Sequence, residues 1–93
     1  MILVQAERIT EGLHGMDVPP EGVMLMGPAP GRSRGSHRVT GTLDAWTPPG
    51  SRLPSFLLVD GTAVSSHDEH DPVVLTHGLW EVRRDGHADL MAA

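Results

Sequence analysis

Short apolar runs, each closed off by glycine or proline, set the rhythm of this chain: "MILV", "GVMLM", "RVTGTLDAW", "SFLLV", "TAVSS", "PVVL" and "GLWEV". Where side chains alternate between apolar and polar with a period of two, the backbone is expected to run as a strand with one buried face. On that basis strands are predicted near 1–9, 22–27, 37–46, 54–60, 62–67, 72–76 and 79–84. No window holds a helical period. The best candidate, 5–14, is interrupted by Gly12 and bounded by Gly15. The expected fold is therefore all-β, a small barrel or sandwich of about six to seven short antiparallel strands. It forms a single domain over 1–93 with a loose tail at 86–93.

Turn chemistry refines this pattern. Asp60-Gly61, between two apolar runs, is a strong short hairpin signal because a type I′ turn needs positive φ at both central residues. That turn sets Leu58 opposite Ala63 and Phe56 opposite Ser65, and so gathers Phe56, Leu58, Ala63, Ser65 and His67 on one face. A second hairpin is expected to turn at His77-Gly78, with Pro72 opening its first strand. "HDEHDP" (67–72) then connects the two hairpins. In "HRVTGTLDAW", alternation aligns His37 with Val39, Gly41, Leu43 and Ala45, on the apolar face of its strand. Two loops rich in Pro, Gly, Ser and Arg, 27–36 and 47–54, are expected to be mobile and open to functional use.

Composition limits what such a domain can do. Apolar residues make up only 39% of the chain and aromatics 3%, so Trp46, Phe56 and Trp80 are expected as the few large pieces of a thin core. The Met-rich "VMLM" is expected to fill irregular gaps in it. A formal charge of −5 argues against general nucleic-acid binding, which needs cationic surface against phosphate. Arg32, Arg34 and Arg38 form one local basic cluster, a minor candidate for RNA contact. No apolar run has membrane-spanning length, and "MILVQAER" lacks a basic leader, so a soluble cytoplasmic protein without membrane partners is the expectation. With no cysteine in the sequence, any metal must sit on imidazole and carboxylate.

Six histidines fall in these 93 residues. His67 and His70 are three apart. A tight turn with that spacing aims both rings at one point, whereas an extended strand sends them to opposite faces. Asp68 and Glu69 between them would add oxygen ligands or orient a ring nitrogen, or would simply make a solvated acidic corner. His14, His77 and His87 are expected to be exposed. No glycine-rich phosphate loop, no G-x-S-x-G and no paired nucleophile and base occur in the sequence.

"GRSRGSHRV" followed by "FLLVDGTAVSSHDEHDPVVLTHGLWEVRR" resembles a group of small, uncharacterised bacterial proteins with a G-H-x-H-R segment and a later H-x-E-H-x-P-[IV]-x-L-x-x-G-x-[YW]-x-V-x-R pattern. Here His67, Glu69, His70, Pro72, Val73, Leu75, Gly78, Trp80, Val82 and Arg84 fit the second element. His37 and Arg38 fit the first, but Gly35 stands in place of its leading histidine. The resemblance implies that His37, His67 and His70 belong to one constellation, with Glu69 beside them. Two hypotheses follow. One is a small barrel binding a divalent metal (Zn²⁺, Ni²⁺ or Fe²⁺) through those four residues. The other is a non-enzymatic module that binds a protein partner or a second copy through a sheet edge, its histidines structural.

Overall fold

Six antiparallel strands carry the alternation in the computed structural model, which describes residues 2–26, 37–67 and 70–84. They are β1 (Ile2–Gln5), β2 (His14–Met16), β3 (Val23–Met26), β4 (His37–Thr47), β5 (Phe56–His67) and β6 (His70–Arg83). One sheet holds all of them in the order β1-β6-β5-β4-β2, with β3 also paired to β4. β4 gives one edge to β5 over nearly its whole length. Its other edge is shared end to end, by β3 at Val39 to His37 and by β2 at Ala45 to Thr47. The architecture is all-β, and no helix occurs among the described residues.

Both expected hairpin turns lie inside strands instead. Asp60-Gly61 is the middle of β5, and His77-Gly78 the middle of β6. Gly61 does take positive φ (91°), but no described residue other than glycine does, so Asp60 lacks the conformation that a type I′ turn demands. The pair forms a bulge. Val59 faces Gly78 and Thr62 faces Thr76, leaving Asp60 and Gly61 opposite His77 alone. Runs 54–60 and 62–67 therefore join into one strand, as do 72–76 and 79–84. Their hairpin connection runs from His67 to His70, which are Cα partners.

The bulge also corrects the faces. An odd–odd series, Leu57, Val59, Ala63, Ser65 and His67, now shares the inner side of β5, while Phe56 and Leu58 belong to the outer side. Opposite them on β4 stand Val39, Leu43 and Ala45. Together with Val23 and Leu25 from β3 and with Leu75 and Val82 from β6, these residues make one buried cluster. Trp80 packs against that cluster, half-buried. Phe56 is buried outside it, and Trp46 is only half-buried, so the core is aliphatic. Pro72 is the third residue of β6 rather than the first. It sits where β6 bulges, Asp71 and Pro72 opposing Ser66 alone, so its missing N–H breaks no ladder bond.

The sheet curls onto its inner face. Arg84, just past β6, donates from Nε to the Leu25 carbonyl of β3 and from a terminal nitrogen to the Pro54 carbonyl. β3 and β6 share no ladder, so this side chain spans two strands brought face to face by curvature. Among the described residues no ladder joins β1 to β2 or β3, and the curl remains open. The 47–54 loop is pinned rather than loose. The buried Thr47 hydroxyl lies 3.1 Å from the Ser51 carbonyl and 3.0 Å from that of Leu53, and Pro54 is fully buried. The 27–36 loop and the 86–93 tail lie outside the described residues.

Candidate functional site

At the open end of the curl the ladder sets three histidines in one row. His37 of β4 is the Cα partner of His67 of β5, and His67 is in turn the Cα partner of His70 of β6. Residues directly opposite in an antiparallel pair share a face, with Cβ atoms about 5 Å apart. The first pair obeys this closely. The rings of His37 and His67 lie 4.1 Å apart between centroids, tilted at 45°, and both side chains are half-buried. Each imidazole extends from a strand on the inner face. The pairing therefore follows from alternation plus register, with no special loop required.

A metal held by both rings would need one nitrogen of each about 2 Å from it, and the pair sets the two imidazoles side by side. For His70 the backbone register is the extent of the description. Glu69, the fourth expected ligand, lies outside the described residues together with Asp68. Among the described residues no group of three or more His, Asp and Glu side chains is assembled as a metal site. The geometry on view is thus a histidine pair with a third histidine at the adjoining register position.

A groove of about 420 Å³ opens beside the pair. Its polar side chains are His37, His67, Ser65 and Asp71, and the rest of its wall is Ile2, Leu3, Val73, Val74, Leu75 and Trp80. Strands distant in the ladder meet here, β1 on one side and the start of β4 on the other, because the sheet curls. A wider groove of about 540 Å³ lies elsewhere, between Phe56 and the 6–11 segment, and contains no histidine.

The remaining sequence candidates are dispersed. His14 is exposed in β2, a strand that the periodicity does not announce. His77 is exposed in mid-strand, where its Nδ1 accepts the Gly61 N–H at 3.3 Å inside the bulge and lies 3.9 Å from an Asp60 carboxylate oxygen. His87, Arg32 and Arg34 lie outside the described residues. Arg38 turns its guanidinium to the Gly22 carbonyl at 3.3 Å, half-buried. Trp80 and Val73, which share the histidines' sequence motif, line the same groove. Their places there follow from the bulges that shift β6 against β5, and bulges have no simple periodic signature.

The chain belongs to the family of a domain of unknown function, DUF8820, whose profile matches residues 1–85. No curated protein and no solved structure matches it.

Proposed function

We propose that this protein is a small β domain that binds a divalent metal, Zn²⁺, Ni²⁺ or Fe²⁺, at the open end of its curled sheet. His37 and His67 supply two imidazoles and His70 the third, with Glu69 as a further oxygen ligand or an acceptor that orients a ring. The observation that carries this reading is the ring pair at 4.1 Å, set by direct cross-strand register, with His70 next in the same row. If the three imidazoles alone held the ion, it would keep a coordination position open, and the metal would supply an acidified water there. The test is zinc added to protein purified without an affinity tag, followed by thermal unfolding. An ion that binds only the folded state at a hundred times its Kd raises stability by about 2.7 kcal/mol. His37→Ala and His67→Ala should abolish the shift, while His14→Ala and His77→Ala should retain it. A flat response in the wild-type chain ends the reading.

A second reading, a self-associating module, is favoured by one observation. β1 covers β6 only from Trp80 to Arg83, and along the remainder Val73 and Val74 are 59% and 61% exposed. An edge that no described strand covers, flanked by exposed valines, is a template for strand addition. A lysine in place of Val74 should convert a dimer to a monomer in sedimentation, and a wild-type chain that is already monomeric at high concentration rules the dimer out.

A further inference from the structure

The groove beside the histidines is apolar along most of its wall and carries one formal charge, that of Asp71. A bulge puts the charge there. Asp71 and Pro72 share the place opposite Ser66, and a bulge re-aims the side chains of the strand that holds it. An acidic group from the hairpin end of β6 thus joins a wall whose next members are Val73, Val74 and Leu75. Farther along β6, Trp80 also lines the groove. Its indole N–H donates to the Thr76 carbonyl at 3.0 Å, so the donor is satisfied and the ring offers carbon surface. Acid and indole are therefore separated along the strand by hydrocarbon. No arginine lines the groove and the chain has no lysine, so no cationic side chain answers Asp71 within it. Val73 and Val74 are the most exposed large hydrophobic side chains described, and a molecule lying in the groove would remove them from water. A volume of about 420 Å³ suits a small molecule rather than a folded partner.

We propose that the groove binds a small organic monocation, an ammonium on an elongated hydrocarbon body, with its charge at Asp71 and its body along Val73, Leu75 and Trp80. Charge complementarity selects the cation over an acid with the same body, and the apolar wall selects against an ammonium that has no body. The formal charge of −5 on the chain adds to the field that draws a cation in. This goes beyond the metal reading. An ion on His37 and His67 would oppose a second positive charge, so the site belongs to the metal-free protein and draws on no charge at either histidine.

The experiment titrates trimethyl(4-phenylbutyl)ammonium into the full chain with a chelator present and reads its Kd by calorimetry. The charge of this probe is permanent, and its nitrogen cannot coordinate a metal. 4-Phenylbutyrate keeps the body and reverses the charge, whereas tetramethylammonium keeps the charge and loses the body. The expected result is saturable one-to-one binding, with each of the other two at least about tenfold weaker. Asp71→Asn, at an exposed position, removes the charge at nearly constant shape. It should weaken the ammonium about threefold or more, the range of an exposed charge pair, and leave the urea midpoint unchanged. Glu11→Gln, in the wider groove beside Phe56, should leave the Kd as it is. No saturable binding, equal binding of phenylbutyrate, or an affinity that falls with Glu11→Gln and not with Asp71→Asn overturns the proposal. The metal reading is decided separately, by the zinc shift in chelator-free protein.

Discussion

At Gly41, β4 and β5 leave no room for a side chain. The glycine's φ is +135°, and a Cβ built there would lie 2.8 Å from both the Ala63 Cα and the Thr62 carbonyl oxygen. Backbone, not a flexible side-chain end, blocks the space. Gly41→Ala should therefore cost about 2 kcal/mol in urea unfolding, whereas Gly50→Ala, with nothing within 4 Å, carries only the smaller penalty of its positive φ. The histidines are also decided residue by residue. Alternation places His37 on an inward face, and the structure keeps it there. His67 is inward too, but beside Leu57 and Val59 rather than Phe56 and Leu58. The candidate pair was thus legible in the sequence although its surroundings were not. Metal binding by such a pair competes with protons, so the zinc-dependent thermal shift should shrink on acidification, because imidazole ligates only when neutral.

At the scale of elements, turn signals misled where strand signals did not. Asp-Gly advertises a glycine at positive φ, and a bulge uses that conformation as readily as a turn does. Local sequence cannot choose between them. The choice falls to the long partners on either side, β4 and β6, which pair with β5 both before and after the bulge. β2 was invisible for a related reason: His14 to Met16 has no alternation of its own and is a strand because Ala45 to Thr47 presents an edge to it. The bulge makes a sharp prediction. Deleting Gly61 alone leaves Asp60 as the single residue opposite His77, so β6 keeps its register while regular alternation from Val59 turns Ala63 outward. The shortened chain should lose stability in urea unfolding, since Ala63 is part of the buried cluster.

For the whole molecule, the question is what keeps the sheet curled when no ladder among the described residues closes it. An aliphatic core of ten buried residues draws the strands together, but burial is non-directional and fixes no particular curvature. Arg84 supplies the direction. Its guanidinium joins the carbonyl of Leu25 on one margin of the sheet to that of Pro54 at the entry to β5. Burial pushes the guanidinium down from its ordinary pKa, a desolvation cost that the two charge-assisted bonds offset, and the group stays cationic at neutral pH. Of the residues that carry the sequence resemblance, Leu75, Gly78, Trp80 and Val82 line the inner face of β6, and Arg84 clasps the curl. Those positions are thereby accounted for by architecture, and His67, Glu69 and His70 are the ones on which the proposed metal site draws. Arg84→Ala should lower stability by about 2 kcal/mol, the loss expected when bonds from a charged donor disappear and their acceptors stay partly buried. Arg84→Lys should recover little of it, because a single ammonium cannot span both carbonyls as the planar fork does. Because the curl also brings β1 up to the start of β4, both variants should weaken zinc binding, without any change to a groove side chain. Equal stability in the Arg84→Lys chain would show that charge alone, rather than the two-point clasp, holds the sheet in shape.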